Sequence, residues 1–352
     1  MPKDADNLAL EIRRVYAQAE QDVISRIANR IPEGKSLDIH EWEMRKLKQL
    51  QKVRNGIDMH IHKKLDNFHD EETKDLLEKV YRQGTKEGIA DLKKVESPEN
   101  ITAGFGRIDE QTVARYTEAL TNRLKGTHMR IVRQADDVYR RAVSRGVNTV
   151  LTGSGTRVEG AQRVLNEFAN RGVHGFRDAA DRNWNLSSYA EMATRTSAQR
   201  ARIDGRFNKY QQNGYDLVVV SAHAESCPIC DPWEGQVLSI SGKSEEYPSK
   251  ADARSAGLWH PNCGHNATLY IEGVTEKPEQ QPGDESYKNR KQQRYNERNI
   301  RKWKRRKAGA MTEREKMKAQ RKVQEWQARQ KEFIEKTDRY RKYEREAIDT
   351  AN

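Results

Sequence analysis

From Asp4 to about Asn29 the apolar residues Leu8, Leu10, Ile12, Val15, Ala19, Val23, Ile24 and Ile27 recur at steps near three and four. That spacing lays one stripe along a helix, and Pro32 with Gly34 closes the segment. A second helix is predicted from Asp38, carrying Trp42, Leu47, Leu50, Val53 and Ile57, and a third over Glu71 to about Leu92 with Leu76, Leu77, Val80 and Tyr81. The stretch KKVESPENITAGFGRIDE mixes Pro, Gly and polar residues and reads as a linker. Helix resumes near Gln111, with a break expected around Gly126. Two more helices follow, RVEGAQRVLNEFANRG and LSSYAEMATRTSAQRARIDGRFNKYQQNG, the last ending at Gly214.

At Tyr215 the period changes. YDLVVVSAH is a β-branched run, and QVLSI and ATLYIEG are further short strand candidates. The polar EKPEQQPGDES then leads into a segment in which Trp326, Phe333, Tyr340 and Ala347 fall seven apart, a narrow apolar stripe on one or two long helices. The pattern predicts a mostly α protein: an elongated helical N-terminal region, a small α+β module and a long basic C-terminal helix. The expected segments are 1–95 and 96–214, both helical, 215–275 for the β-containing Cys/His module, and 276–352 for the linker and basic tail.

Composition sharpens this picture. Only 35% of the 352 residues are hydrophobic while 34% are charged, which is little core for one large globule and suits helices and hairpins better. No run of about 18 apolar residues exists, and the first twenty residues carry acidic groups where a signal peptide needs an apolar stretch. A soluble, non-secreted chain with no membrane partner is expected. The net charge of +12 is concentrated: residues 283–352 hold 23 Lys and Arg against 12 Asp and Glu, so +11 lies there and +1 in the rest. Such a tail seeks an acidic partner, nucleic acid or an acidic protein surface.

All three cysteines fall in one window, and six possible metal ligands lie within 43 residues: His223, Cys227, Cys230, His260, Cys263 and His265. Zn²⁺ favours four ligands of thiolate sulfur and imidazole nitrogen, and two ligands two residues apart can grip one ion from a tight turn. CPIC gives one grip and HPNC the other, across a 29-residue excursion filled by the strands around QVLSI. Cys227, Cys230, His260 and Cys263 would make a closed site that staples a module too small to stand on its own core. His265 competes with His260 for the fourth position, and His223 is a weaker candidate. The other reading of CxxC, a dithiol redox pair, lacks the βαβ context it needs.

Catalytic alternatives find less support. A zinc deaminase needs His-x-Glu well ahead of its Cys pair, whereas HAESCPIC places His223 and Glu225 directly beside it. A nuclease using His260 or His265 as base lacks an evident carboxylate pair, with Asp231, Glu234, Glu245 and Glu246 reading as solvated loop residues. His60, His62 and His69 are poorly placed for joint coordination on a helix, and GSGT and GFG are too short for phosphate loops.

The order SAHAESCPICDPWEGQVLSISGKSEEYPS, GLWHPNCGHNATLYIEG, YKNRKQQRYNERNIRKWKRRK resembles the phage minor capsid protein 2 family, and CPIC with HPNC is also similar to minor head proteins of the Mu F type. Matching positions include Trp233, Gly235, Tyr247, Pro248, Asn262, Cys263 and His265, and Gln293 and Arg294 through Lys304. The resemblance implies a non-enzymatic structural protein of a tailed-phage head, with the portal or major capsid protein and packaged double-stranded DNA as partners, in the virion and, during assembly, the host cytoplasm. It gives the basic segment a role. Arg294, Arg298, Arg301, Lys302, Lys304, Arg305, Arg306 and Lys307 could neutralise phosphates without reading bases. The competing expectation is a metal-dependent nucleic-acid-processing enzyme using the same Cys/His cluster.

Overall fold

A computed structural model describes residues 3–34, 36–65, 71–96, 100–101, 109–172, 174–177, 183–280 and 284–348 of the chain. Helices α1 (Lys3–Arg30), α2 (Ile39–Leu65), α3 (Glu71–Leu92), α4 (Glu110–Leu151) and α5 (Arg157–Arg171) precede a short antiparallel pair, β1 (His174–Arg177) and β2 (Asn183–Asn185). Helix α6 (Leu186–Gln212) leads into β3 (Leu217–Val220), β4 (Val237–Ser239), α7 (Lys250–Ser255) and β5 (Ala267–Leu269). Helices α8 (Asp284–Ala308), α9 (Glu313–Thr337) and α10 (Tyr343–Glu346) follow. The protein is mostly α with one small three-stranded antiparallel sheet, ordered β4-β3-β5.

Contacts divide the chain into two units, each built from stretches that are separate in sequence. One comprises residues 1–9, 70–122 and 192–291, and the other 10–69, 123–191 and 292–352. The reason is helix length. At a rise of about 1.5 Å per residue, helices of 25 to 42 residues outrun a single small core, so α1, α4, α6 and α8 each lend residues to both units.

In the first unit the pleat decides what is buried. Val218 and Val220 on β3, Leu238 on β4 and Leu269 on β5 share a face and pack with Ile203, Phe207 and Tyr210 of α6, while Val219, Val237 and Tyr270 cluster on the other face. Ile203, Phe207 and Tyr210 are spaced as one helical stripe. Helices α3 and α6 meet backbone to backbone. A Cβ added at Gly84 would stand 1.9 Å from the Arg202 carbonyl oxygen, and one at Gly205 would stand 2.4 Å from that of Tyr81. Charge pairs seal the crossing. Arg202 Nε and Nη2 donate to Glu87 at 2.7–3.0 Å, Arg206 pairs with Asp91, and the Tyr210 hydroxyl accepts the Leu269 N–H at 3.1 Å, tying α6 to β5.

In the second unit α1, α2 and α4 bury Tyr16, Ile24, Ile27, Trp42 and Tyr139, and the Tyr16 hydroxyl donates to the Leu124 carbonyl at 3.1 Å. The GSGT turn is a helix start. Thr156 and Glu159 form a capping box at the head of α5, with the Thr156 N–H donating to Glu159 Oε2 at 2.8 Å.

Two expected features differ. Helix α4 runs through Gly126 without a break: nothing lies within 4 Å of a Cβ there, and one exposed glycine costs a long helix only about 1 kcal/mol. The stripe expected to run through Tyr340 also differs, on a basic tail made of two helices, α8 and α9. Gln162 of α5 grips both sides of the bend, its Nε2 donating to the Gly309 carbonyl at 3.0 Å and its Oε1 accepting the Met311 N–H at 2.7 Å, and Thr312 caps α9. Tyr340 lies past the end of α9, so the buried stripe runs Ala319, Val323 and Gln330, with Trp326 and Phe333 half-buried beside it. The linker around 97–108 and the side chains of His60, His62 and His69 lie mostly or wholly outside the described residues.

Candidate metal centre

Strand β3 delivers the chain to His223, and CPIC then turns on itself. The Cys227 carbonyl accepts the N–H groups of Cys230 and Asp231, each at 2.9 Å, before a single 3-10 turn at Asp231–Trp233. The second grip closes similarly, with the Cys263 N–H donating to the His260 carbonyl at 2.9 Å. It needs left-handed backbone at Trp259 (φ 56°) and Asn262 (φ 67°), and Asn is among the side chains that tolerate that region best. The excursion between the grips holds β4 and also α7, which periodicity missed. Its signal was the Ser249–Asp252 capping box, present in the sequence as SKAD.

The turns bring the predicted ligands together. Cys227 Sγ lies 3.0 Å from His260 Nε2, Cys230 Sγ 3.5 Å from Cys263 Sγ, and Cys263 Sγ 3.4 Å from His265 Nδ1. Two ligands on one tetrahedral zinc stand about 3.5 to 3.8 Å apart; the Cys230–Cys263 separation meets that, and the other two pairs are tighter. Donors of Cys227, Cys230 and His260 lie mutually within 4.8 Å, as do those of Cys230, Cys263 and His265, with Cys230 common to both groups. Cys227 and Cys230 are buried and Cys263 half-buried. His260 Nδ1 is 2.8 Å from the Pro261 carbonyl. A proton on Nδ1 makes that hydrogen bond and leaves the Nε2 lone pair facing Cys227.

Electrostatics favour a cation among the sulfurs. The hydrogen bond from Cys230, reinforced by His265, pulls the Cys263 thiol down to about 4 despite burial, while the same contact and burial push Cys230 up. A bound metal would displace the protons these thiols otherwise carry.

A third group, unanticipated, adjoins these. Glu234, expected as a solvated loop residue, is 3% exposed. Its Oε1 accepts the His223 N–H at 3.1 Å and lies 2.7 Å from His265 Nε2. Burial alone would raise the Glu234 carboxyl, but the His265 contact and the His223 N–H outweigh it and hold it low. Burial likewise opposes the His265 proton, and the contacts to Cys263 and Glu234 prevail and raise it. His223 stacks beside His265 with ring centroids 4.1 Å apart, and burial together with that neighbour lowers its affinity for a proton. The donors of His223, Glu234 and His265 also lie mutually within 4.8 Å. Spacing could not reveal Glu234 as a partner, because only the fold of β3 against the 3-10 turn turns it inward.

The basic segment is placed quite differently. Arg301 and Arg305, expected to contact phosphate, are both buried, Arg301 donating to the Arg345 carbonyl and Arg305 Nε to the Ala169 carbonyl at 3.1 Å. Burial lowers the proton affinity of both guanidinium groups, that of Arg301 to about 9. Arg294 lies 3.5 Å from Glu297, and Arg306 pairs with Glu315 at 3.7 Å and lies over the Trp303 ring. Lys302 and Lys304 are half-buried, and Arg298 and Lys307 are exposed. No helix among the described residues is long and apolar enough to cross a membrane.

No solved structure matches the chain. It is similar to a protein of Lactococcus phage LL-H named "Structural protein", with 23% identity over 310 residues covering 82% of each chain. The sequence profile of the phage minor capsid protein 2 family matches residues 1–335, with the ligand turns, the sheet and helix α8 all inside the match, and the chain belongs to that family.

Proposed function

We propose that this chain is a non-enzymatic structural protein of a phage head, in which a zinc ion held by Cys227, Cys230, Cys263 and His260 staples the sheet module. The observation that carries the role is the family match over residues 1–335, and the phage relative named for a structural role supports it. Zinc supplies charge and geometry here and no chemistry. Cys227, Cys230, Cys263 and His260 would supply all four of its donors, leaving no position for an activated water. His260 serves as the fourth ligand because its Nδ1 contact to Pro261 leaves Nε2 toward Cys227. His265 instead gives its Nδ1 side to the Cys263 sulfur as a supporting hydrogen bond.

Within the virion the chain would contact the portal or major capsid protein. Packaged DNA would meet Arg298 and Lys307, both exposed on α8, together with the half-buried Lys302, rather than the whole basic run. The test is metal analysis of the purified protein together with incorporation of a Cys230→Ser variant into particles. About one zinc held by thiolates in the native chain, and loss of both zinc and incorporation in the variant, support the proposal. A zinc-free native protein removes the staple.

A further inference from the structure

We propose a second divalent-metal site, built from His223, Glu234 and His265 beside the thiolate site. Two imidazoles and one carboxylate with their donors mutually within 4.8 Å form a facial set that suits a first-row transition metal. The buried polar atoms around it are unfinished. His223 Nε2 has no hydrogen-bond partner, and neither has Glu234 Oε2, although the Glu234 side chain is fully shielded from solvent. Leaving a buried carboxylate oxygen and a buried imidazole nitrogen without partners is unfavourable. A cation between them satisfies both.

The neighbouring geometry agrees. Gly264 leaves the space next to His223 open, since a Cβ there would come 3.3 Å from Nε2. His265 fits this role without being taken from the staple. With a proton on Nδ1 it donates to the Cys263 sulfur, at 3.4 Å, and its Nε2 is then free to bind a metal in place of its contact to Glu234. The Ser226 hydroxyl, 3.4 Å from that same Nε2, is the adjoining polar group. The two sites differ in chemistry, one rich in sulfur and closed, the other nitrogen and oxygen with positions unfilled by protein.

Cobalt(II) titration of the reduced, metal-stripped full-length protein separates them. Two equivalents are expected to bind. One gives the intense sulfur-to-cobalt charge-transfer band, and the other adds only weak visible absorption. His223→Ala and Glu234→Gln should each remove the second equivalent, with at least a tenfold weaker affinity, and leave the charge-transfer band intact. Gly264→Ala should weaken the same equivalent less. The proposal is overturned if the native protein binds a single equivalent, or if His223→Ala leaves two. It is also overturned if Glu234→Gln abolishes the charge-transfer band in a protein of unchanged circular dichroism, which would make Glu234 a support for a thiolate-site ligand. Failure of the zinc staple reads out separately, as loss of the charge-transfer band in the native protein.

Discussion

Around the sheet of the first unit the groups gathered in the interior are electron donors: three sulfurs, the imidazoles of His223, His260 and His265, and the Glu234 carboxylate. Around α8 in the second unit they are cations. Arg13 and Arg345 both reach Glu191, each at 3.4 Å, and Arg301 and Arg305 are buried against carbonyl oxygens. Both regions add polar cohesion to hydrophobic burial. The first arrangement is completed by binding a positive ion. The second brings its own positive charge and must keep each guanidinium partnered, because an uncompensated buried charge is strongly destabilising. Charge density on a sequence therefore says little about which face of a helix carries it. The eight candidate cations of α8 look alike in the sequence, and the fold divides them into internal and external sets.

The largest expected effect comes from removing the ion. Stripping metal from the reduced protein should abolish protection of β3–β5 in hydrogen exchange, since free energies for structural zinc are about 10 to 16 kcal/mol in small modules; α1 and α2 should keep theirs. Equal loss in both regions would erase the contrast. Next is Glu191→Ala, which leaves Arg13 and Arg345 without their shared carboxylate and should cost about 3 to 5 kcal/mol in urea unfolding. A third test uses Lys46, buried with its ammonium donating to the Arg30 carbonyl, where burial lowers its proton affinity to about 8. Between pH 8 and roughly 10.4 the unfolded chain holds a proton on this lysine that the folded one has lost, so its contribution makes stability rise with pH through that window. The difference between the native protein and Lys46→Met should show the rise. The smallest effect on stability, within about 0.5 kcal/mol, is expected for Arg298→Ala with Lys307→Ala, both exposed. These two should nevertheless lower DNA affinity and flatten its salt dependence, and unchanged binding would remove DNA from the role of α8.

Most helices were legible because their apolar stripes had to face a core: Ile24 and Ile27, Leu76 and Leu77, and Val80 all sit where the three-and-four spacing puts them. The three strands were legible from β-branched runs, and the ligand turns from CPIC and HPNC. What periodicity cannot carry is partnership at a distance. Nothing around Gln162 marks it as the residue that bends the tail at Gly309, and nothing around Glu234 marks it as buried beside His265. The interleaving of the two units is likewise a property of helix length against core size, and no local pattern encodes it.

The crossing of α3 and α6 bears on which inherited changes the protein can absorb. A ligand position has substitutes, because cysteine and histidine both hold zinc and a line of descent can exchange one for the other while keeping the ion. Gly84 has none. Its requirement is an absence, 1.9 Å from a carbonyl oxygen, and all nineteen other residues bring the carbon that the space refuses. The residues with the least evolutionary freedom here are those that contribute no chemistry at all.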